Sequence, residues 1–161
     1  MTALKRSMLA AAMMLAPGLV NADTMTATVA VSATVVPACT TLSATPLNFG
    51  NYTSAANADA TFTVTTNCVN GASVYYSISG GLNPLQDNVT KLLVMAGSAG
   101  GALQYKVYLD AARINAIANG FSAGFFGTGL DKVDTYYGRL FSGFTVPSGT
   151  YTDTITITLN F

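Results

Sequence analysis

Histidine, tryptophan and glutamate are all missing from this chain of 161 residues. Without histidine there is no imidazole to act as general base, to complete a Ser–His–Asp triad or to ligate a metal. The carboxylates are seven aspartates, several in turn-like or polar stretches where solvated turn residues belong. Asp131 and Asp134 stand close together, yet DKVD lacks the oxygen-rich spacing of a calcium loop. The string GTGLDK at 127–132 does not open a helix after a buried strand, so it makes no phosphate cradle. No catalytic residue, metal or cofactor is expected, and no small-molecule substrate.

Charge is scarce as well. Lys, Arg and Asp together make up 9% of the chain, where a globular domain carries about a quarter. Half of the residues are apolar, and so thinly charged a surface is sticky unless a neighbour covers it. Two of the seven basic residues, Lys5 and Arg6, precede the apolar run Met8–Ala16. Pro17 and Gly18 break that run, and Val20 and Ala22 put small residues at −3 and −1 of a cleavage site. This is the layout of a secretory signal peptide over residues 1–22, too short for a membrane span. The mature chain from Asp23 keeps five basic residues against seven aspartates, a net charge of −2. With no basic excess, nucleic acid and anionic membranes are excluded as partners. An oxidising compartment makes the two cysteines, Cys39 and Cys68, a natural disulfide.

What remains is rich in Thr, Ala, Val and Gly, and nearly free of helical periodicity. Short alternating runs predict strands over 61–69, 73–79, 91–95, 103–109 and 135–141, with a hairpin joining the third and fourth. Residues 110–117 read as a helical turn or an irregular edge, and the Gly-rich stretch 119–131 as a loop. The last eleven residues alternate most regularly. Tyr151, Ile155, Ile157, Leu159 and Phe161 face one way, with Asp153 as the one charge in their register. Many short strands separated by turn signals predict an all-β sandwich. Tyr75, Tyr76, Tyr136 and Tyr137 suit cross-strand packing better than stacking on a sugar. The sequons at Asn51 and Asn88 are short enough to arise by chance.

The mature start is itself an alternating stretch. From 23 to 36 one face reads Met25, Ala27, Val29, Val31, Ala33, Val35; the other is small and mostly polar, Thr24, Thr26, Thr28, Ala30, Ser32, Thr34. Such a strand either completes its own sheet or adds to the sheet of a neighbour, with side chains for pockets. The residues alone leave both open.

Four blocks, in order between Cys39 and Phe161, resemble spore coat protein U domains, which occur in Csu-type subunits of archaic chaperone–usher pili. They are LNFGNY (47–52), LQYKVYLDAAR (103–113), YYGRL (136–140) and PSGTYTDTITITLNF (147–161). Many relatives carry a Trp-Gly string where this chain has Phe125-Phe126-Gly127, and the loop after Arg139 departs too. The resemblance implies an incomplete immunoglobulin-like β-sandwich over 37–161, completed by donor-strand complementation. Residues 23–36 are then the donor, with Met25, Ala27, Val29, Val31, Ala33 and Val35 entering a neighbour. Tyr151, Ile155, Ile157, Leu159 and Phe161 would edge the receiving groove and face the chaperone. The resemblance further implies a shaft or adaptor subunit of a secreted, cell-surface pilus of a Gram-negative bacterium, serving attachment and biofilm formation. Its partners would be neighbouring subunits, a periplasmic chaperone and an outer-membrane usher. The alternatives are a monomeric coat or matrix protein, or a carbohydrate-binding module near Tyr136 and Tyr137.

Overall fold

The computed structural model describes residues 23–83, 93–117 and 120–161. The expected signal peptide, the sequon at Asn88 and the first two residues of the strand at 91–95 lie outside them. The chain divides into two units, 1–34 and 35–161. In the first, residues 23–34 form neither helix nor strand, and Met25 and Val31 are 99% and 92% exposed. Alternation supplies two faces, but a strand exists only in a ladder, and these residues join none.

Among the described residues the second unit holds nine strands and no helix. They are β1 Cys39–Ala44, β2 Ala58–Cys68, β3 Ser73–Ile78, β4 Leu93–Gly97, β5 Ala102–Tyr108, β6 Phe121–Phe126, β7 Asp131–Leu140, β8 Tyr151–Thr152 and β9 Ile157–Asn160. One sheet runs β1-β2-β7-β5-β4-β8 and the other β6-β3-β9, with every pairing antiparallel. Residues of both sheets share one core, so the architecture is the sandwich that the turn spacing predicts.

The longest ladder joins β2 to β7 from Ala58↔Leu140 to Asn67↔Asp131. Along β2 the period of two puts Phe62, Val64, Thr66 and Cys68 inside and the threonines between them outside. Phe62 lies opposite Tyr136, and their rings stack with centroids 5.1 Å apart. The Tyr136 hydroxyl then donates to the Tyr76 hydroxyl at 2.6 Å, tying the six-stranded sheet to the three-stranded one. Tyr136 is therefore core, as cross-strand packing predicts. At the end of the ladder Cys39 is bonded to Cys68, as expected. Closing a loop of this length contributes about 3.5 kcal/mol on the chain-entropy account.

Two glycines make room for aromatic neighbours. A Cβ on Gly138 would stand 2.8 Å from Leu47 and 2.9 Å from Phe49, so YYGRL and LNFGNY meet in space. A Cβ on Gly124 would stand 2.9 Å from the ring of Tyr75. Residues 121–126 are strand β6, not the loop their glycines predict, because Tyr75 covers the bare backbone. β7 likewise begins four residues before the expected Thr135, and β1, too short and polar to stand out, is new. The stretch 110–117 is the irregular edge: Asp110 accepts from the backbone N–H groups of Ile114 and Asn115, and Ala116 makes one bridge to Tyr108. Arg113, the one non-glycine residue with positive φ among those described, is 3.4 Å from Asp59, which Arg139 grips with two bonds of 2.8 Å. Those hydrogen bonds from Arg139 hold the Asp59 carboxyl below the usual carboxylate range. Partly exposed, the cluster orders the loop and adds little to stability.

Gly138→Val should cost about 1–3 kcal/mol by forcing Leu47 and Phe49 aside, read as a lower urea midpoint with an unchanged slope. Alkaline stability tests the core tyrosines. Burial first, and then their hydrogen bonds, push Tyr105 and Tyr136 well above the ordinary phenol range. Their contribution is complete below about pH 10 and declines above it, where the unfolded chain ionises and the folded one does not. The decline should be at most about 1.4 kcal/mol per pH unit for each tyrosine, and Tyr136→Phe should remove one share of it.

Candidate functional site

Residues 151–160 alternate without a break: Tyr151, Asp153, Ile155, Ile157 and Leu159 are half-buried, and the residues between them are exposed. The single strand expected here is instead divided. Tyr151 and Thr152 pair with β4 in the larger sheet, whereas Ile157–Asn160 pair with β3 in the smaller one. Between them the backbone changes sheets, held by side chains rather than a ladder. Ser79 takes the N–H of Thr156 on its hydroxyl and gives its own N–H to the Thr156 carbonyl.

Asp153 fixes the corner. Its Oδ1 accepts from the backbone N–H groups of Leu82 and Thr154 and from the Asn83 amide, and its Oδ2 from the Tyr105 hydroxyl at 2.7 Å. The charge in the apolar register is thereby paired with donors, which is what permits it beside a core. Tyr105, in turn, packs edge-on against Phe49 with centroids 5.8 Å apart. At the other end the Tyr151 hydroxyl donates to the Pro147 carbonyl at 2.8 Å, with the Gly100 carbonyl 3.1 Å away sharing the same hydrogen.

Two cavities, of about 340 and 800 Å3, lie along this segment and share Pro46, Leu47, Phe49, Met95 and Tyr151 as lining. The smaller one reaches Ala44 on one side and Asp153, Ile155 and Ile157 on the other. It therefore runs between the end of β1 and the C-terminal segment. Those two elements are also sheet edges, β1 of the larger sheet and β9 of the smaller. Leu42 of β1 stands opposite buried Thr66, on the same face, yet is 43% exposed. The space between the sheets is thus roofed poorly on this flank: an apolar groove whose two bordering strands, β1 and β9, have no strand on their outer side among the described residues.

Of the C-terminal residues singled out from the sequence, Tyr151, Ile155 and Ile157 line the groove together. Leu159 packs instead against the small cluster of Cys68, Ala72 and Val74, and Phe161 is 59% exposed. Met25, Ala27, Val29, Val31 and Ala33 lie in the other unit and Val35 at the start of this one, all exposed. Asp131 accepts from the Asn67 amide and Asp134 pairs with Lys132, so neither carboxylate stands unengaged. Sequence reasoning missed the opposite wall, Ala44 to Phe49. Its only signal was the LNFG string, whose glycine, Gly50, needs a positive φ.

The profile of the Spore Coat Protein U domain matches residues 25–158. No curated protein matches the sequence. Among solved structures, the chaperone–tip adhesion subunit pre-assembly complex CsuC–CsuE, from archaic chaperone-usher Csu pili of Acinetobacter baumannii, aligns with TM-score 0.59 and 22% identity. A chaperone–tip adhesin complex of CFA/I fimbriae biogenesis aligns with TM-score 0.48 and 13% identity. The first alignment covers 80% of this chain and 40% of the solved one, the second 73% and 41%, so this chain spans well under two thirds of either. The first likeness is one of fold, and it places the sandwich in the immunoglobulin-like class. With its profile matched over most of its length, this chain belongs to the Spore Coat Protein U domain family.

Proposed function

We propose that this chain is a structural subunit, shaft or adaptor, of a chaperone–usher pilus that polymerises by strand donation. The observation that carries the reading is a pair of complementary surfaces in one chain. One is an apolar groove between two free sheet edges; the other is an exposed extension with an alternating apolar face. A strand lying in the groove would cover Leu42, Ile155 and Ile157 and pair the free edges of β1 and β9. Residues 23–36 of a second copy have the pattern to do so. Burying Met25, Val29, Val31 and Val35 contributes about 6–12 kcal/mol before the cost of ordering the peptide.

In this reading residues 1–22 direct export and 37–161 form the receiving domain. A periplasmic chaperone would cover the groove until an outer-membrane usher adds the subunit to a fibre on the cell surface, where it would serve attachment and biofilm formation. The Csu complex pairs a tip adhesion subunit with its chaperone, which supports a chaperone as partner of this chain. No catalysis is assigned to the chain.

The test is assembly of the exported chain with a chaperone and usher, read as a heat-sensitive polymer ladder. Val31→Asp sets an unpaired charge in mid-groove at a cost of several kcal/mol, enough for about a hundredfold loss of polymer, with subunit accumulating on the chaperone. Thr28→Ser, on the other face, should assemble normally. If Val31→Asp instead lowers the melting temperature of the isolated subunit, the strand closes its own sheet and donation is wrong.

A further inference from the structure

The extension joins the receiving domain at Cys39, the first residue of β1, whereas the groove reaches β1 at its last residue, Ala44. To occupy the groove of its own domain, the chain would have to reverse before Cys39 and run back beside β1. Its anchor leaves little room for that. Cys39 is bonded to Cys68, and the Ala38 carbonyl accepts from the N–H of Val69 at 2.9 Å, so the ladder already governs the chain at Ala38. A reversal close to β1 falls on Val35, Val36 and Pro37.

These residues fit no hairpin turn. With Val36 and Pro37 as the central pair, type I′ and type II turns need a positive φ at Pro37, whose ring holds φ at about −65°. A type II′ turn needs it at Val36, a β-branched residue. A type I turn needs Val36 in the α region, which the following proline disfavours. A type VI turn needs a cis bond before Pro37, and no peptide bond is cis among the described residues. A three-residue loop ends on a left-handed residue, here Pro37 or Ala38, and neither has positive φ. The chain further back offers no better place. Residues 24–36 contain no Gly, Asn, Asp or Pro, and eight of the thirteen are Thr or Val. A wider loop there would draw Val31 and Val35 out of the donor face. Val35 and Val36 are 77% and 66% exposed, so backbone preference rather than packing directs this segment.

We propose that Val36 and Pro37 keep the extension out of its own groove and commit it to a second copy of this chain. The inference rests on the donation reading above and supplies the reason that self-closure does not pre-empt donation. A strand tethered by a short flexible linker meets its own groove at an effective concentration of about millimolar, far above that of a neighbour. A linker able to turn would therefore favour closure within one chain.

Replacing this pair by the favoured hairpin turn, in the full-length exported chain, tests the assignment. Val36→Asn together with Pro37→Gly supplies the two residues of a type I′ turn. Expressed with chaperone and usher, the double variant should form about tenfold less polymer ladder, or lower still. Its monomer should melt about 5 °C or more above the parent monomer, because the groove is filled from within. Adding Val31→Asp should erase that gain, while the same change in the parent leaves the melting temperature of the monomer where it was. A double variant that polymerises like the parent would overturn the proposal. So would a loss of polymer with no gain in melting temperature, since the linker would then matter for another reason. A gain that survives Val31→Asp would overturn it too, because the stabilisation would not come from the groove. If the parent chain itself forms no ladder, the donation reading fails instead.

Discussion

The ladder between β2 and β7 is the constraint on which the rest of the sandwich depends. Its ten register pairs decide which side of two long strands faces inward, and each inward position then commits another part of the chain. Phe62 on Tyr136 sets the thickness of the core, and Tyr136 reaches across to Tyr76. Gly138, two residues on, opens the slot that Leu47 and Phe49 fill, and with them one wall of the groove. On the outward side the same register puts Asp59 opposite Arg139, and Arg113 joins them to pin the loop after β5. A slip of one residue would invert all of these together.

The C-terminal segment obeys a different rule. It has too few ladder bonds to be held by backbone pairing alone, with two residues in one sheet and four in the other. Side chains make up the difference: Tyr151 at one end, Ser79 and Asp153 at the change of sheets. A carboxylate among isoleucines reads as an error in the sequence pattern. In the structure it gathers the donors of three separate segments and lets an apolar strand turn a corner.

Much of this was legible in the residues, for reasons that differ from place to place. β2 and β3 announce themselves because one face is buried and the other solvated, so hydrophobicity alternates cleanly. The disulfide needed only a pair count and a compartment. β6 was hidden because Gly124 lowers strand propensity, and what restores it, the ring of Tyr75, comes from 49 residues earlier in the chain. β1 was hidden because an edge strand with polar residues on both sides has no pattern to show. The break in the last strand was invisible for the opposite reason. Alternation persists through residues 153–156 although the sheet they face changes, and periodicity records only the facing.

The bond between Cys39 and Cys68 also decides how the domain bears load. Tension applied along residues 23–38 meets the Ala38 carbonyl, which accepts from the N–H of Val69, and then Cys39, the first residue of β1. Left to itself, β1 would be peeled from β2 one hydrogen bond at a time, the weakest way to pull on a sheet edge. The disulfide instead passes the force directly to the end of β2, which β7 anchors from Ala58 to Asn67. The pairs from Thr41 to Ala44 lie behind that crosslink and carry none of it. β1 and β2 therefore stay joined at this end for as long as the bond stays oxidised.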